Sequence, residues 1–137
     1  MFLLDTNVIS ELRRPRPYAG VVEWLAGTPN ERLFLSAVTL GELQAGVESI
    51  RERDSIKAAD IEAWIDRLAA VHNVLAVDGT IFRTWARLLR RQRDRLIEDA
   101  LIAATAIVHG LTVVTRNARD FARFDVPTFD PFGSSKE

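Results

Sequence analysis

The sequence contains no cysteine and only two histidines, His72 and His109, which narrows the chemistry available to its 137 residues. Without cysteine the chain has no disulfide framework, no thiolate zinc site and no thiol nucleophile. Both histidines lie near the ends of predicted helices, where imidazole more often serves as a C-terminal helix charge than as a catalyst. Acid–base catalysis by a histidine pair is therefore not expected.

Long apolar runs and a leader segment are also missing. The longest apolar stretches, 100–104 and 111–114, are too short to cross a bilayer. No basic region precedes the strand-like run after Met1, so no signal peptide is predicted and a cytoplasmic protein is expected. With 47% hydrophobic and 27% charged residues the chain suits one globular domain, assigned to residues 1–132, with 133–137 as a flexible tail.

Lysine is scarce, since only Lys57 and Lys136 are found among the 18 basic residues. The formal net charge is −1, so the chain as a whole does not attract polyanions. Six arginines fall within residues 83–95, however, and two interpretations of them remain open. They form either a solvated helix face or a phosphate-binding patch, which guanidinium groups suit. The candidate phosphate-binding residues are Arg87, Arg90, Arg91 and Arg95.

Short apolar strands alternate along the chain with amphipathic helices. The predicted strands are 2–4, 33–35, 74–77, 111–115 and a possible edge strand at 126–129. The helix before the fourth strand is predicted at 97–109, with Gly110 as a left-handed cap. Alternating short strands and helices imply parallel pairing with helices on both faces of the sheet. The predicted fold is one α/β domain of three layers.

The second predicted helix follows Pro17 and carries an aromatic residue in an unusual position. Its predicted buried stripe comprises Tyr18, Val21, Val22 and Leu25. Trp24 lies off this stripe, so we expect it to be exposed. An exposed tryptophan is a candidate contact for a partner protein.

Asp5 and Asp99 are acidic residues in places where a plain structural role does not require them. Asp5 directly follows an apolar strand, where open parallel sheets form ligand crevices, although a helix cap alone would also explain it. Asp99 is also near a helix start, but it shares its helix face with residues predicted to meet the sheet: Ile102, Ala103, Ala106 and Ile107. A carboxylate on a buried face is costly unless it is paired or metal-bound, which favours a site role for Asp99.

Glu42 and Asp120 have stronger structural explanations. Thr39 and Glu42 match a capping box, in which Thr39 caps a helix and Glu42 reaches back to its amide. Small residues nevertheless continue the face of Glu42, as if something packs closely there: Ala45, Gly46 and Ser49. Asp120 lies in the loop after the strand ending at Thr115, and alone it indicates a turn or cap.

The four acidic residues become more informative together. Asp5 and Asp120 follow strands, while Glu42 and Asp99 open helices next to strands, so they are expected to gather at one edge of the sheet. Carboxylates at close range cannot all stay ionised without a cation. Ligands that are all oxygen favour hard ions, so Mg²⁺ or Mn²⁺ is predicted rather than Zn²⁺.

Four segments occur in an order that resembles the signature blocks of PIN-domain toxins, the VapC and FitB group. They are Met1-Phe-Leu-Leu-Asp5-Thr-Asn7, Ser36-Ala-Val-Thr-Leu-Gly-Glu42-Leu, Asp99-Ala-Leu-Ile-Ala-Ala-Thr-Ala106 and Thr115-Arg-Asn117-Ala-Arg-Asp120-Phe121. The resemblance spans nearly the whole chain. It implies a five-stranded parallel sheet, an acidic metal site, RNA cleavage, a homodimer and inhibition by a cognate antitoxin.

The resemblance also assigns roles to individual residues. It places Mg²⁺ or Mn²⁺ on three main carboxylates, Asp5, Glu42 and Asp99, with Asp120 as a fourth. Positions that hold the hydrogen bonds of the site correspond to Thr6, Asn7, Thr115 and Asn117. One stretch departs from the family, because residues 93–98 lack the Gly and Pro that often precede the third carboxylate. The shape of that loop, and hence the RNA path, is left open.

The sequence therefore predicts a metal-dependent endoribonuclease whose products carry 5′-phosphate and 3′-hydroxyl ends. The alternative is a non-catalytic protein that mainly complexes an antitoxin on operator DNA, in which Glu42 and Asp99 serve only as caps. A phosphoacceptor domain would need a lysine after the fourth strand, where Arg116 stands instead. A metal titration separates the first two hypotheses.

Overall fold

The computed structural model describes residues 1–90 and 96–133. The strands in these ranges are β1 (Phe2–Leu4), β2 (Leu33–Ser36), β3 (Asn73–Leu75), β4 (Thr112–Val114) and β5 (Thr128–Phe129). The α-helices are α1 (Thr6–Glu11), α2 (Ala19–Ala26), α3 (Ala37–Arg51), α4 (Ser55–Val71), α5 (Gly79–Leu89), α6 (Ile97–His109) and α7 (Ala118–Ala122). A short 3₁₀ turn, Asn30–Arg32, precedes β2. No helix in the described ranges is long and apolar enough to span a membrane.

The strands form one parallel sheet in the order β3-β2-β1-β4-β5. The predicted class and strand count are confirmed, although β3 begins at Asn73 and ends at Leu75 rather than at Val77. The chain first builds outward from β1 to β3 and then returns to the other side of β1 for β4. This reversal places a switch point between β1 and β4, and parallel sheets open a ligand crevice beyond the carboxyl ends of such strands.

Alternate residues of the central strands point to opposite faces of the sheet. Leu3 and Val113 pack in a cluster with Ala103 of α6 and Phe121 of α7. On the other face, Leu4 and Val114 join a second cluster. Its remaining buried members are Val8, Ile9, Val21, Leu33, Leu35, Leu68 and Phe132. The layers are therefore helices, sheet and helices.

Helix α6 begins and ends where the sequence predicts. Gly110 takes a positive φ of 68° and turns the chain into β4, a conformation that costs glycine little. Ile102, Ala103 and Ala106 are buried against the sheet as expected. Ile107 is 41% exposed, so its predicted place on that stripe is wrong. The buried residues of the helix are instead Ala100, Ile102, Ala103, Ala104, Thr105 and Ala106.

The predicted exposure of Trp24 is also wrong. Its ring lies 5.0 Å from that of Phe2 and 5.3 Å from that of Phe129, centroid to centroid. Val22, which was expected on the buried stripe, is 41% exposed. The two-turn helix packs through Val21 and Trp24, which are three residues apart and share a face. Trp24 therefore packs against the core as a partly buried residue.

Replacing Trp24 with alanine is accordingly expected to destabilise the fold. The change removes two aromatic contacts and leaves a cavity, which costs about 3 kcal/mol for a partly buried tryptophan. The matched control Val22→Ala, on the exposed face of the same helix, should stay within about 0.5 kcal/mol of wild type. Urea unfolding followed by circular dichroism measures both variants. Equal losses for the two variants would mean that Trp24 is not a core residue.

Candidate active site

Asp5 lies at the carboxyl end of β1, at the switch point. Its backbone amide donates to the Val114 carbonyl at 2.9 Å, which extends the pairing of β1 with β4. The side chain is only 5% exposed and is hydrogen-bonded at both oxygens. Oδ1 accepts from the Thr6 amide and Oδ2 from the Thr115 hydroxyl, each at 2.8 Å. Asp5 is thus the N-cap of α1 and also a buried carboxylate of the crevice.

The loop after β4 orients the partner of Asp5. The Thr115 oxygen accepts from the Asn117 amide at 2.9 Å, so the hydroxyl proton is directed to Asp5. Asn7 Oδ1 accepts from the Arg116 amide at 3.2 Å and joins this loop to α1. Thr6, Asn7 and Thr115 therefore make hydrogen bonds with their side chains. Asn117 contributes its backbone amide.

Glu42 does not belong to a capping box, so the competing structural explanation for this residue is wrong. Helix α3 begins two residues before Thr39, because Ser36 at the end of β2 caps it by accepting from the Val38 amide at 3.0 Å. Thr39 is buried in the first turn instead, and its hydroxyl oxygen is 3.1 Å from that of Thr6. The Glu42 carboxylate accepts a short hydrogen bond from the Thr6 hydroxyl. This contact joins Glu42 to the residue that follows Asp5.

The small residues on the face of Glu42 do not mark close packing within the described chain. Ala45, Gly46 and Ser49 are exposed. A Cβ added to Gly46 would meet no described atom within 4 Å. In the described structure, the small size of these three residues therefore does not help to place Glu42.

Asp99 is half-buried in the first turn of α6. The N-cap of this helix is Leu96, which makes no side-chain capping bond. Among the described residues, none is hydrogen-bonded to the Asp99 carboxylate, so a cap does not explain its position. Burial is the largest cause that raises the pKa of Asp99 to about 6, and the charges of four neighbouring carboxylates supply the rest of the rise: Asp5, Asp120, Glu42 and Glu98.

Two further carboxyl groups are perturbed in the same direction. Burial raises the pKa of Asp5, although the hydrogen bonds from Thr115 and Thr6 oppose that rise. Burial also raises the pKa of Glu42 against the Thr6 hydrogen bond, and the charges of Asp5 and Glu98 add to the rise. The four predicted carboxylates and Glu98 therefore interact electrostatically, and we call these five residues the acidic cluster: Asp5, Glu42, Glu98, Asp99 and Asp120.

Glu98 is the member of the acidic cluster that the sequence did not identify. Its place next to Asp99 suggested only a favourable charge in the first helical turn. Its side chain is exposed, yet it raises the pKa of both Glu42 and Asp99. The available signal was its adjacency to Asp99, which helical geometry places about 100° away.

The acidic cluster fits a hard divalent cation in its donor chemistry. Its donors are all carboxylate oxygens, and their mutual repulsion is relieved when a cation lies among them. In the described ranges, however, no three acidic or histidine side chains are close enough to enclose one metal ion. Mg²⁺ usually keeps several waters and binds one or two carboxylates directly, so such an open arrangement suits it.

The arginine patch is described only in part. Arg87 donates to the Thr84 hydroxyl at 3.3 Å within its own helix, and Arg90 is exposed at the end of α5. Arg91 and Arg95 lie outside the described residues, as do 93–94 of the departing stretch and 134–137 of the predicted tail. The patch therefore remains a prediction.

A parallel α/β/α domain with an acidic cluster at its switch point defines a class of small proteins suited to chemistry with hard divalent cations. The PIN domain matches residues 2–127 of the chain. The chain therefore belongs to the PIN-domain family.

Individual relatives share most of its length. Toxin FitB of Neisseria gonorrhoeae is 34% identical, covering 96% of this chain and 99% of the relative. VapC ribonuclease Y4jK of Sinorhizobium fredii is 33% identical, with 96% and 98% covered. A crystal structure of VapBC-5 from Mycobacterium tuberculosis, a member of the VapBC family of toxin–antitoxin systems, is also similar. Its TM-score is 0.62 at 31% identity, with 93% and 94% covered.

Proposed function

We propose that the protein is an endoribonuclease that acts as the toxin of a toxin–antitoxin pair. The observation that carries this proposal is the acidic cluster at the switch point of a PIN domain. The similarity to a toxin and to a VapC ribonuclease supports RNA as the substrate. A cytoplasmic location, a homodimer and an antitoxin partner complete the proposal, the last supported by the similarity to VapBC-5.

The residues proposed to hold Mg²⁺ or Mn²⁺, directly or through its bound waters, are Asp5, Glu42 and Asp99, with Asp120 as a fourth. When bound, such an ion supplies an activated water and stabilises negative charge on phosphate oxygens. The protein itself fixes the carboxylates. Thr6 and Thr115 orient the two oxygens of Asp5, and the Thr6 hydroxyl orients Glu42. These contacts hold two carboxylates in place before substrate arrives, which lowers the reorganisation that catalysis requires.

The alternative hypothesis, a non-catalytic protein that complexes an antitoxin, is not supported at Glu42 and Asp99. That hypothesis needs Glu42 and Asp99 to serve only as helix caps. Ser36 caps α3, and Leu96, the N-cap of α6, makes no side-chain capping bond. Both carboxylates instead interact with Asp5, so a shared chemical role accounts for them better.

Glu42→Gln tests the proposal, because the change keeps the size of the side chain and removes its charge. Glutamine can still accept from Thr6, so the melting temperature should stay close to that of wild type. Cleavage of RNA in Mn²⁺ should fall by about 10²-fold, as expected when a metal-binding group is impaired. Expression of the wild-type chain should arrest growth and expression of Glu42→Gln should not. Co-expression of the adjacent reading frame should relieve the arrest.

The outcomes of this experiment separate the two hypotheses. Glu48→Gln, on the same helix, is a control with an exposed carboxylate that pairs with Arg51 outside the acidic cluster. It should cleave RNA like wild type. A folded and fully active Glu42→Gln variant would contradict the assignment of Glu42. Growth arrest without RNA cleavage by the wild-type chain would contradict the ribonuclease proposal.

A further inference from the structure

The last described turn of the chain packs against α2. Phe132 is 6% exposed, and its amide donates to Asp130 Oδ1 at 2.8 Å. Its ring centroid is 5.9 Å from that of Tyr18. A Cβ added to Gly20 of α2 would lie 2.8 Å from the Pro131 carbonyl oxygen, so this close approach requires glycine. The turn is therefore fixed against α2.

Arg116 is stacked on this turn. Its guanidinium carbon lies 4.3 Å from the centroid of the Phe132 ring. A guanidinium on an aromatic face is attracted by the ring and keeps its N–H donors available at its edges. The backbone of Arg116 is also fixed, because its amide donates to Asn7. The structure thus holds a cation in place on the loop that orients Asp5.

Arg116 and Arg119 form no ion pair with any of the described residues, unlike Arg51 and Arg13. They line an open pocket of about 450 Å³, which we call the Arg116 pocket. Its lining residues are Arg116, Asn117, Ala118, Arg119, Asp120 and Asp130. This volume falls within the range of about 300–1,000 Å³ that is usual for small-ligand sites.

The Arg116 pocket is continuous with the acidic cluster through one residue. Asp120 lines the pocket and also raises the pKa of Asp99. The pocket carries two carboxylates beside its two arginines, so it is not a strongly positive site for a free anion. This charge pattern better suits part of a longer ligand. Such a ligand would be anchored at the acidic cluster and would extend one phosphate to the arginines.

We propose that the Arg116 pocket binds the nucleotide next to the cleaved phosphodiester, with Arg116 holding its phosphate. This inference rests on the proposed ribonuclease function and assigns part of its substrate site. A guanidinium fork matches phosphate oxygens, and stacking on Phe132 reduces the entropy lost when the contact forms. Arg116 is a binding residue in this assignment, and Phe132 is a positioning residue.

Fluorescence anisotropy with a short fluorescein-labelled single-stranded RNA of mixed sequence, made with phosphorothioate linkages to slow cleavage and measured in Mn²⁺, tests this assignment. Arg116→Gln should raise the Kd about tenfold, the usual loss for one charge-assisted contact. The slope of log Kd against log salt should fall by about 0.7, since one phosphate contact is lost. Arg116→Lys should restore the slope but only part of the affinity. Phe132→Leu should weaken binding without changing the slope, because the charge remains.

The control is Arg53→Gln, which removes a cation just after the end of α3 and should bind RNA like wild type. Wild-type affinity and slope in Arg116→Gln would overturn the assignment. So would a variant that binds RNA normally but binds the cognate antitoxin weakly, since Arg116 would then be a protein contact. RNA cleavage by the wild-type chain in Mn²⁺ is measured in parallel. If the wild-type chain does not cleave RNA, the proposed function is contradicted. If it cleaves RNA while Arg116→Gln binds RNA like wild type, only the role assigned to the Arg116 pocket is contradicted.

Discussion

Asp5→Asn is expected to abolish RNA cleavage while leaving the fold intact. Asparagine has nearly the shape of aspartate, and its side-chain oxygen can still accept from the Thr6 amide as an N-cap. The change removes the most buried carboxylate of the proposed metal site. A divalent ion contributes several kcal/mol to stabilising charge in the transition state, so its loss corresponds to a decrease on the order of 10³-fold or more.

The stability of Asp5→Asn should equal or exceed that of wild type without metal. Burial disfavours the ionised form of Asp5 and raises its pKa, and asparagine carries no charge to desolvate. One hydrogen bond changes, because the Thr115 hydroxyl no longer donates to a carboxylate oxygen. These two effects oppose each other, and the melting temperature should move by only a few degrees.

RNA cleavage in Mn²⁺ and thermal unfolding in EDTA together measure this variant. Asp66→Asn, which makes the same change on the exposed face of α4, is the matched control and should retain wild-type activity. Cleavage by Asp5→Asn at the wild-type rate would remove Asp5 from the site. An unfolded variant would show instead that the charge at Asp5 is structural.

The framework of the fold was predictable because its signals are local. Apolar runs bounded by turn residues marked β1, β2 and β4. Gly110 marked the end of α6, since few other residues adopt a positive φ at low cost. Alternating strands and helices required parallel connections, which brought the ends of β1 and β4 to one edge of the sheet.

The predictions that failed depended on tertiary contacts. Ser36 and Thr39 are both suitable caps, and the sequence does not show that β2 ends at Ser36, where it pairs with Leu75 of β3. Trp24 was misplaced because a two-turn helix is too short for its periodicity to define one buried face. The contact between Thr6 and Glu42 joins residues 36 positions apart, which no local pattern indicates.

The pKa of Asp99 predicts how the metal-free protein responds to pH. The ordinary value of 3.8 is raised to about 6 in the folded chain. Between these values the folded state binds more protons than the unfolded state, so the free energy of unfolding decreases as pH rises through this window. The loss persists above pH 6. Since Asp99 is half-exposed, we discount the full shift for solvent screening and expect about 1–2 kcal/mol.

Asp99→Asn should therefore remove most of this pH dependence and, in the same variant, most of the RNA cleavage. Asparagine is neutral at every pH, so metal-free Asp99→Asn should be more stable than wild type at pH 7.5 by about 1 kcal/mol and nearly equal to it at pH 4. Mn²⁺ should raise the melting temperature of wild type at pH 7.5, because the cation relieves the same repulsion, and should raise that of the variant less. Urea unfolding across this pH range, with and without Mn²⁺, measures both effects, with Asp66→Asn again as the control.

Parallel curves of unfolding free energy against pH for Asp99→Asn and wild type would show that Asp99 carries no repulsive charge in the folded chain. The acidic cluster would then lack its central member.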